Sequence, residues 1–180
     1  MVLSDKEYKA YLSTHLEFLH FVGIQSKIYD ADLSFDDFRK LNFSEKFKCR
    51  DKFLSNKKLL DDYLSTHIDR LTEEKFAILT GFKKSITGDF IIFKCLSKYA
   101  IFISVKDNKF YAVKALGNGF DELFDWFPIL VNATILPFND QIIYDGFLKK
   151  TEISFGPGMR SGMNEDYKQA KKKNQIAMTL

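Results

Sequence analysis

The chain has 180 residues, of which 46% are hydrophobic and 28% charged, as in a packed globular protein. Its net charge of +3 is well below the excess expected of a protein that coats DNA. No apolar run has the length of a transmembrane helix, and the start lacks the basic-then-apolar order of a secretion signal. Two isolated cysteines, Cys49 and Cys95, are typical of reduced thiols. We therefore expect a cytoplasmic protein without a membrane partner.

Residues 1–71 carry apolar side chains at helical spacing, interrupted by short polar connectors. The first helix is expected to end near Gly23, and later ones to follow in short succession. Residues 1–71 are therefore predicted to form a helical N-terminal region. Side chains that accept hydrogen bonds from the first turn of a helix mark the expected starts. These predicted N-caps are Ser4, Ser34, Ser44 and Thr72.

Residues 72–180 are predicted to form a β-rich domain that begins with one more helix and ends with another. Its apolar segments alternate with turns too short for helical crossovers, which predicts antiparallel pairing. The fold class is therefore α+β: helices, then an antiparallel sheet or small barrel, then a C-terminal helix starting at Asn164. The predicted strands are Ile86–Leu96, Tyr99–Val105, Phe110–Leu116, Ile129–Leu136, Gln141–Leu148 and Thr151–Phe155.

No spacing of histidines or cysteines matches a metal site, and we expect neither a metal nor another cofactor. One pattern suggests an enzyme: Asp89, followed by Asp107-Asn108-Lys109, places two acids and a lysine as in a magnesium-dependent nuclease. The same three residues are also typical of a hairpin turn. No nucleophile motif accompanies them, so we assign no catalytic residue and leave enzymatic activity open.

A glycine-rich loop near the C-terminus is the candidate binding feature. Gly156 and Gly158 would turn backbone N–H groups toward an anion, Arg160 would add charge, and a helix would begin at Asn164. Alternatively, the loop is a strand-to-helix turn with Asn164 as its N-cap. Both interpretations predict a positive φ at one of the two glycines.

Two basic runs form the last candidate surface. If their helices lay side by side, they would offer a patch for nucleic acid or an acidic protein. Separately, each would be a solvated helix face. The first run comprises Lys46, Lys48, Arg50, Lys52, Lys57 and Lys58, and the second comprises Lys168 and Lys171–Lys173.

From Gly81 onward the chain contains the motifs Gly88–Ile92, Lys98–Phe102, Leu136-Pro137-Phe138, Ile142–Gly146, Phe155-Gly156-x-Gly158 and Asn164-Glu165-x-Tyr167. With these motifs, about the last 100 residues resemble an uncharacterised bacterial domain family. Some relatives carry a zinc-binding SEC-C tail, but this chain has no cysteine after Cys95, so no metal carries over. The resemblance implies no activity; it supports a boundary near residue 72 and marks Tyr144, Asp145 and the glycine loop as candidate binding residues.

The favoured function is a non-catalytic protein-binding or regulatory module. It follows from modest charge, the lack of a reaction centre and a helical region that offers a surface to a partner. The first alternative is nucleic-acid binding through the basic helices. The second is a metal-dependent nuclease.

Overall fold

The computed structural model describes residues 2–180, which divide into two compact units. The helical unit is Lys6–Lys83; the β unit joins the first residues, as far as Asp5, to Lys84–Leu180. The domain boundary predicted at residue 72 stays a prediction. No helix within residues 2–180 is both long and apolar enough to cross a membrane.

The helices of the helical unit begin largely where capping side chains stand. Ser34 accepts a hydrogen bond from the backbone N–H of Asp37, and Thr72 accepts one from Lys75, so both predicted N-caps are confirmed. The prediction of Ser44 is wrong, because the chain is already helical there and Asn42 is the cap. The helices are α1 (Asp5–Gln25), α2 (Phe35–Lys40), α3 (Phe43–Ser55), α4 (Lys58–His67) and α5 (Glu73–Gly81).

Aromatic rings fill the core of the helical unit. Phe18 of α1 is fully buried, and its ring centroid lies 4.9 Å from that of Phe53 and 5.4 Å from that of Tyr63. Phe82, just after α5, closes the group at 6.3 Å from Phe18. Edge-to-face contacts of this kind stabilise a core beyond the area that they bury.

The β unit contains six strands in the order β2-β1-β4-β5-β3-β6, and β2 also pairs with β3. The α+β class is therefore confirmed, with a mostly antiparallel sheet and a C-terminal helix. The strands are β1 (Ile86–Cys95), β2 (Ala100–Ser104), β3 (Phe110–Lys114), β4 (Ile129–Phe138), β5 (Gln141–Thr151) and β6 (Ile176–Ala177), and the helices are α6 (Phe120–Leu123) and α7 (Pro157–Lys172).

The expectation of purely antiparallel pairing is wrong at β3. This strand runs parallel to β5 at Val113 and Lys114, and parallel to β6 at Phe110 and Tyr111. The chain between β3 and β5 holds α6 and β4, which together supply the crossover that a parallel pair needs. Strands β1 to β5 are thus paired in a closed order, β2-β1-β4-β5-β3, with β3 paired again to β2. The barrel is not fully closed, because only two residue pairs join β3 to β5.

Two predicted elements near the C-terminus are also wrong. Thr151–Phe155 is not a separate strand, since β5 continues to Thr151 and an irregular segment follows. The last helix begins at Pro157, seven residues before Asn164. Proline suits the first helical position because its missing N–H would have no partner there.

The two faces of the sheet are both covered. Phe102 points to the α6 side, where its ring lies 5.2 Å from that of Phe120. Its neighbours Ile101 and Ile103 lie on the other face, in a cluster with Tyr167 and Ala170 of α7. Alternation along a strand explains this division. Helix α7 therefore packs on the outer face of β1, β2 and β3.

Candidate functional site

A lysine–aromatic cluster forms where the end of β1 meets α7. In β1, Phe93 is an extra residue, because Ile92 pairs with Phe102 while Lys94 pairs with Ile101. Such a bulge breaks the alternation of side chains. As a result Phe93 and Lys94 contact the same ring of α7, although they are adjacent in the sequence.

The shared ring belongs to Tyr167. Its centroid lies 5.8 Å from that of Phe93 and 4.0 Å from the Nζ atom of Lys94. The same ammonium group lies 4.6 Å from the ring of Phe93. Lys94 is half-buried, so its stem packs on the rings while its charge is held at the surface.

Two further lysines bring positive charge to the same place. Burial lowers the pKa of Lys94, and the charges of Lys171 and Lys168 lower it further. Lys168 pairs with Glu165 at 2.7 Å, but both side chains are exposed and such a pair contributes little. Within residues 2–180, Lys94 and Lys171 have no ion-pair partner. We call Lys94, Lys168, Lys171 and Tyr167 the basic cluster.

A groove runs beside the basic cluster between α7 and the sheet. Its cavity volume is about 710 Å³, which is within the range of ligand sites. The floor is apolar and the rim is mixed, with one acid and one lysine. The floor includes Ile91, Ile103, Phe110, Met163 and Ala170, and the rim includes Asn108, Lys109, Asp166, Gln169 and Gln175.

Two of the predicted site residues, Tyr144 and Asp145, are buried in β5. The Tyr144 ring lies 5.2 Å from that of Phe120. The pairing of β4 with β5 shifts register here, and Gly146 has a φ of 94°. Asp145 accepts a hydrogen bond of 3.0 Å from the backbone N–H of Phe147. The carboxylate thus satisfies an amide at the irregularity, and a binding role stays a prediction.

The four other predicted residues lie at or within α7. Gly156 is the N-cap of α7 and has a φ of −67°. Gly158 does not have a positive φ either, so the prediction of a left-handed conformation at one of these glycines is wrong. Arg160 donates from Nε to the carbonyl oxygen of Phe155 at 2.9 Å. Asn164 lies inside the helix and is not its cap. Anion binding by this segment stays a prediction.

The acids of the nuclease pattern have other partners. Asp89 accepts a hydrogen bond of 2.8 Å from Asn132, and the Asp107 carboxylate lies 3.0 Å from Nζ of Lys109. Hydrogen bonds from Ser104 and Lys109 lower the pKa of Asp107. Among residues 2–180 no group of three or more His, Cys, Asp or Glu side chains is placed to hold a metal.

The basic run of α3 is largely engaged within the helical unit. Arg50 is 2% exposed, which removes it from any outer surface. Lys46 donates to the carbonyl oxygens of Arg39 and Leu41 at 2.8 and 2.6 Å. Lys48 pairs with Glu45 at 2.7 Å. The run of α7 is therefore the better candidate for contact with an anion.

Lys94 and Tyr167 were not among the predicted site residues. Lys94 is a single lysine at the end of an apolar strand, and only the bulge and the packing of α7 bring it to the lysines of the helix. The adjacent Phe93-Lys94 is the one local signal for it. No family model, curated protein or solved structure matches the chain.

Proposed function

We propose that the β unit binds single-stranded nucleic acid through the basic cluster. The observation that carries the proposal is a set of three lysines brought together beside Tyr167, two of them without an ion-pair partner in the described residues. Grooves for single strands combine lysine or arginine charge with aromatic rings in this way. A local cluster also agrees with a net charge of only +3.

The strand order supports the proposal. Strands β1, β2 and β3 form a meander, and the β4–β5 hairpin pairs with β1 on one side and, in parallel, with β3 on the other. Helix α6 lies between β3 and β4. We infer an open variant of the five-stranded barrel known as the OB fold, whose members bind oligonucleotides and oligosaccharides.

Helix α7 changes where a ligand would bind on such a barrel. The outer face of β2 and β3, which OB folds use for ligands, is covered here by Tyr167 and Ala170. The ligand would instead follow the edge of this cover, where the lysines are. The ammonium groups would neutralise phosphates, and repulsion between Lys94 and its neighbours would fall on binding.

The test is a titration with labelled oligo(dT), followed by fluorescence anisotropy at several salt concentrations. The three phosphates neutralised by the basic cluster contribute about −2 to the slope of log K against log[salt] for a single strand. The double variant Lys168→Gln/Lys171→Gln should bind at least about tenfold more weakly and should have a slope smaller by about 1.4.

Lys106→Gln is the matched control, because Lys106 is an exposed lysine of the same unit in the turn after β2. It should bind within about twofold of the unchanged protein, since it is outside the cluster. Equal losses in the control and in the double variant would reject the basic cluster as the site. No binding at about 50 mM salt, where electrostatic affinity is high, would reject the function.

Protein binding is the second candidate, and the groove beside α7 favours it. Its apolar floor and mixed polar rim suit an extended or helical peptide. Peptides selected by display on the intact chain should lose binding when Gln169→Trp fills the groove. The same peptides should still bind the Lys106→Gln variant. Loss of binding in Lys106→Gln but not in Gln169→Trp would show that the peptides bind outside the groove.

A further inference from the structure

A second pair of an aromatic ring and a lysine lies in the β unit. Trp126 stands in the segment between α6 and β4, and it is the only tryptophan of the chain. The Nζ atom of Lys150 lies 4.6 Å from its ring centroid. Even so, 54% of the Trp126 surface is exposed. We call Trp126 and Lys150 the stacking pair.

The surroundings of this pair leave room for a flat ring. A cavity of about 320 Å³ opens beside Trp126, with Ile129 and Lys150 among its lining residues. Ile153 also lines it and is 48% exposed. Glu152 is the one acid of the lining, and a carboxylate accepts hydrogen bonds from amino groups such as those of nucleobases.

The strand register places this pair and the basic cluster at one end of the sheet. Ile92, near the end of β1, pairs with Ile129, the first residue of β4. Leu130 pairs with Thr151, the last residue of β5. Lys94 follows Ile92 by two residues, and the stacking pair adjoins Ile129 and Thr151. One short strand of nucleic acid therefore has both sites at the same sheet end.

We propose that the stacking pair holds one unpaired nucleobase of a single-stranded nucleic acid. The base stacks on the exposed part of the Trp126 indole, and Lys150 neutralises a phosphate next to that base. A duplex keeps its bases stacked on each other, so this site selects single strands. The inference rests on the proposed function and adds to it the group that is recognised.

The experiment uses the intrinsic fluorescence of the intact chain, because Trp126 is its only tryptophan and therefore the only source of tryptophan emission. Unlabelled oligo(dT) should quench this emission in parallel with binding. An abasic oligonucleotide of equal length has the same phosphates but no bases. It should bind the basic cluster with lower affinity than oligo(dT) and therefore displace labelled oligo(dT) only weakly. It should leave the Trp126 emission nearly unchanged.

Variants separate stacking from charge. Trp126→Ala should weaken binding of oligo(dT) about tenfold and leave the salt slope unchanged, while Trp126→Phe should retain part of the affinity. Met159→Ala is the matched control, since Met159 is an apolar side chain that is 58% exposed in the same unit. It should bind as the unchanged protein does.

The outcomes distinguish the two proposals. If anisotropy shows binding while oligo(dT) leaves the emission unchanged and Trp126→Ala binds normally, the base site is wrong and the basic cluster stands. Equal quenching by abasic and ordinary oligonucleotides would also overturn the base site. If the unchanged protein binds neither probe, both proposals fall. The emission test needs no variant, so a misfolded substitution cannot obscure it.

Discussion

The ammonium group of Lys94 lies 4.0 Å from the ring centroid of Tyr167, which joins the end of β1 to α7. The contact sets a favourable cation–π interaction against the cost of holding Lys94 near two other lysines. An anion bound beside these three lysines would reduce the repulsion between them, in agreement with the proposed function.

The first prediction concerns the strength of that contact. A double-mutant cycle with Lys94→Gln and Tyr167→Leu should give a coupling in the free energy of unfolding of about 0.5–1 kcal/mol, because Lys94 is only half-buried. Urea unfolding of the four proteins measures it. The same cycle with Lys106→Gln in place of Lys94→Gln should give a coupling near zero. Equal couplings in the two cycles would show that the effect is not local.

The second prediction concerns Asp145 and its irregular stretch of β5. Asp145→Ala should lower the free energy of unfolding by about 1–3 kcal/mol, because the backbone N–H of Phe147 loses its acceptor in a buried place. Asp145→Asn keeps an oxygen acceptor and should cost less. Chemical denaturation checks both. A change in ligand binding by Asp145→Asn at unchanged stability would instead support the predicted binding role.

The third prediction separates two glycines. A Cβ at Gly23 would lie 2.8 Å from the Tyr29 ring and 3.1 Å from the Cys49 sulfur, so Gly23→Ala should destabilise the helical unit by about 1–3 kcal/mol. A Cβ at Gly158 would meet nothing within 4 Å, and the residue is helical. Gly158→Ala should therefore stabilise the protein by about 0.5 kcal/mol. Thermal unfolding of both variants measures the contrast, and a loss in Gly158→Ala would contradict it.

The fourth prediction concerns alkaline pH. Burial raises the pKa of Cys49 from 9.0 to about 11, and it does the same for Cys95. Below pH 9 both folded and unfolded chains keep the proton, so the stabilisation is fully present there. Between pH 9 and pH 11 the unfolded chain loses its proton first, and the free energy of unfolding falls, by up to about 2 kcal/mol for the buried Cys49.

The measurement compares the unchanged protein with Cys49→Ala at pH 8.5 and pH 11. Cys49→Ala should be less stable at both values, because it leaves a cavity, but its decline with pH should be smaller. The difference between the two proteins reports the Cys49 thiol together with its interaction with the Tyr29 hydroxyl, because Cys49 contributes to the raised pKa of Tyr29. Parallel declines would mean that the Cys49 thiol has the same pKa in the folded and unfolded chains, which would contradict the raised pKa.

Local signals in the sequence were sufficient for many elements of the fold. Ser34 and Thr72 are N-caps because a side-chain oxygen needs only the next turn of its own helix. The strands up to β5 were placed within a few residues, since alternating apolar segments and short turns act over short distances. The error at Asn164 was also local, because Gly156-Pro157 is itself a helix start.

Only the tertiary structure placed the parts that matter for binding. The parallel contacts of β3 join Val113 to Ile142 and Phe110 to Ile176, pairs far apart along the chain. Likewise, Lys94 contacts Tyr167 although the two residues are 73 positions apart in the sequence, the difference 167 − 94. Residue types specify that a ring or an ammonium group is present. Which of them meet depends on long-range pairing and on one bulge at Phe93, because no short segment of sequence contains both partners.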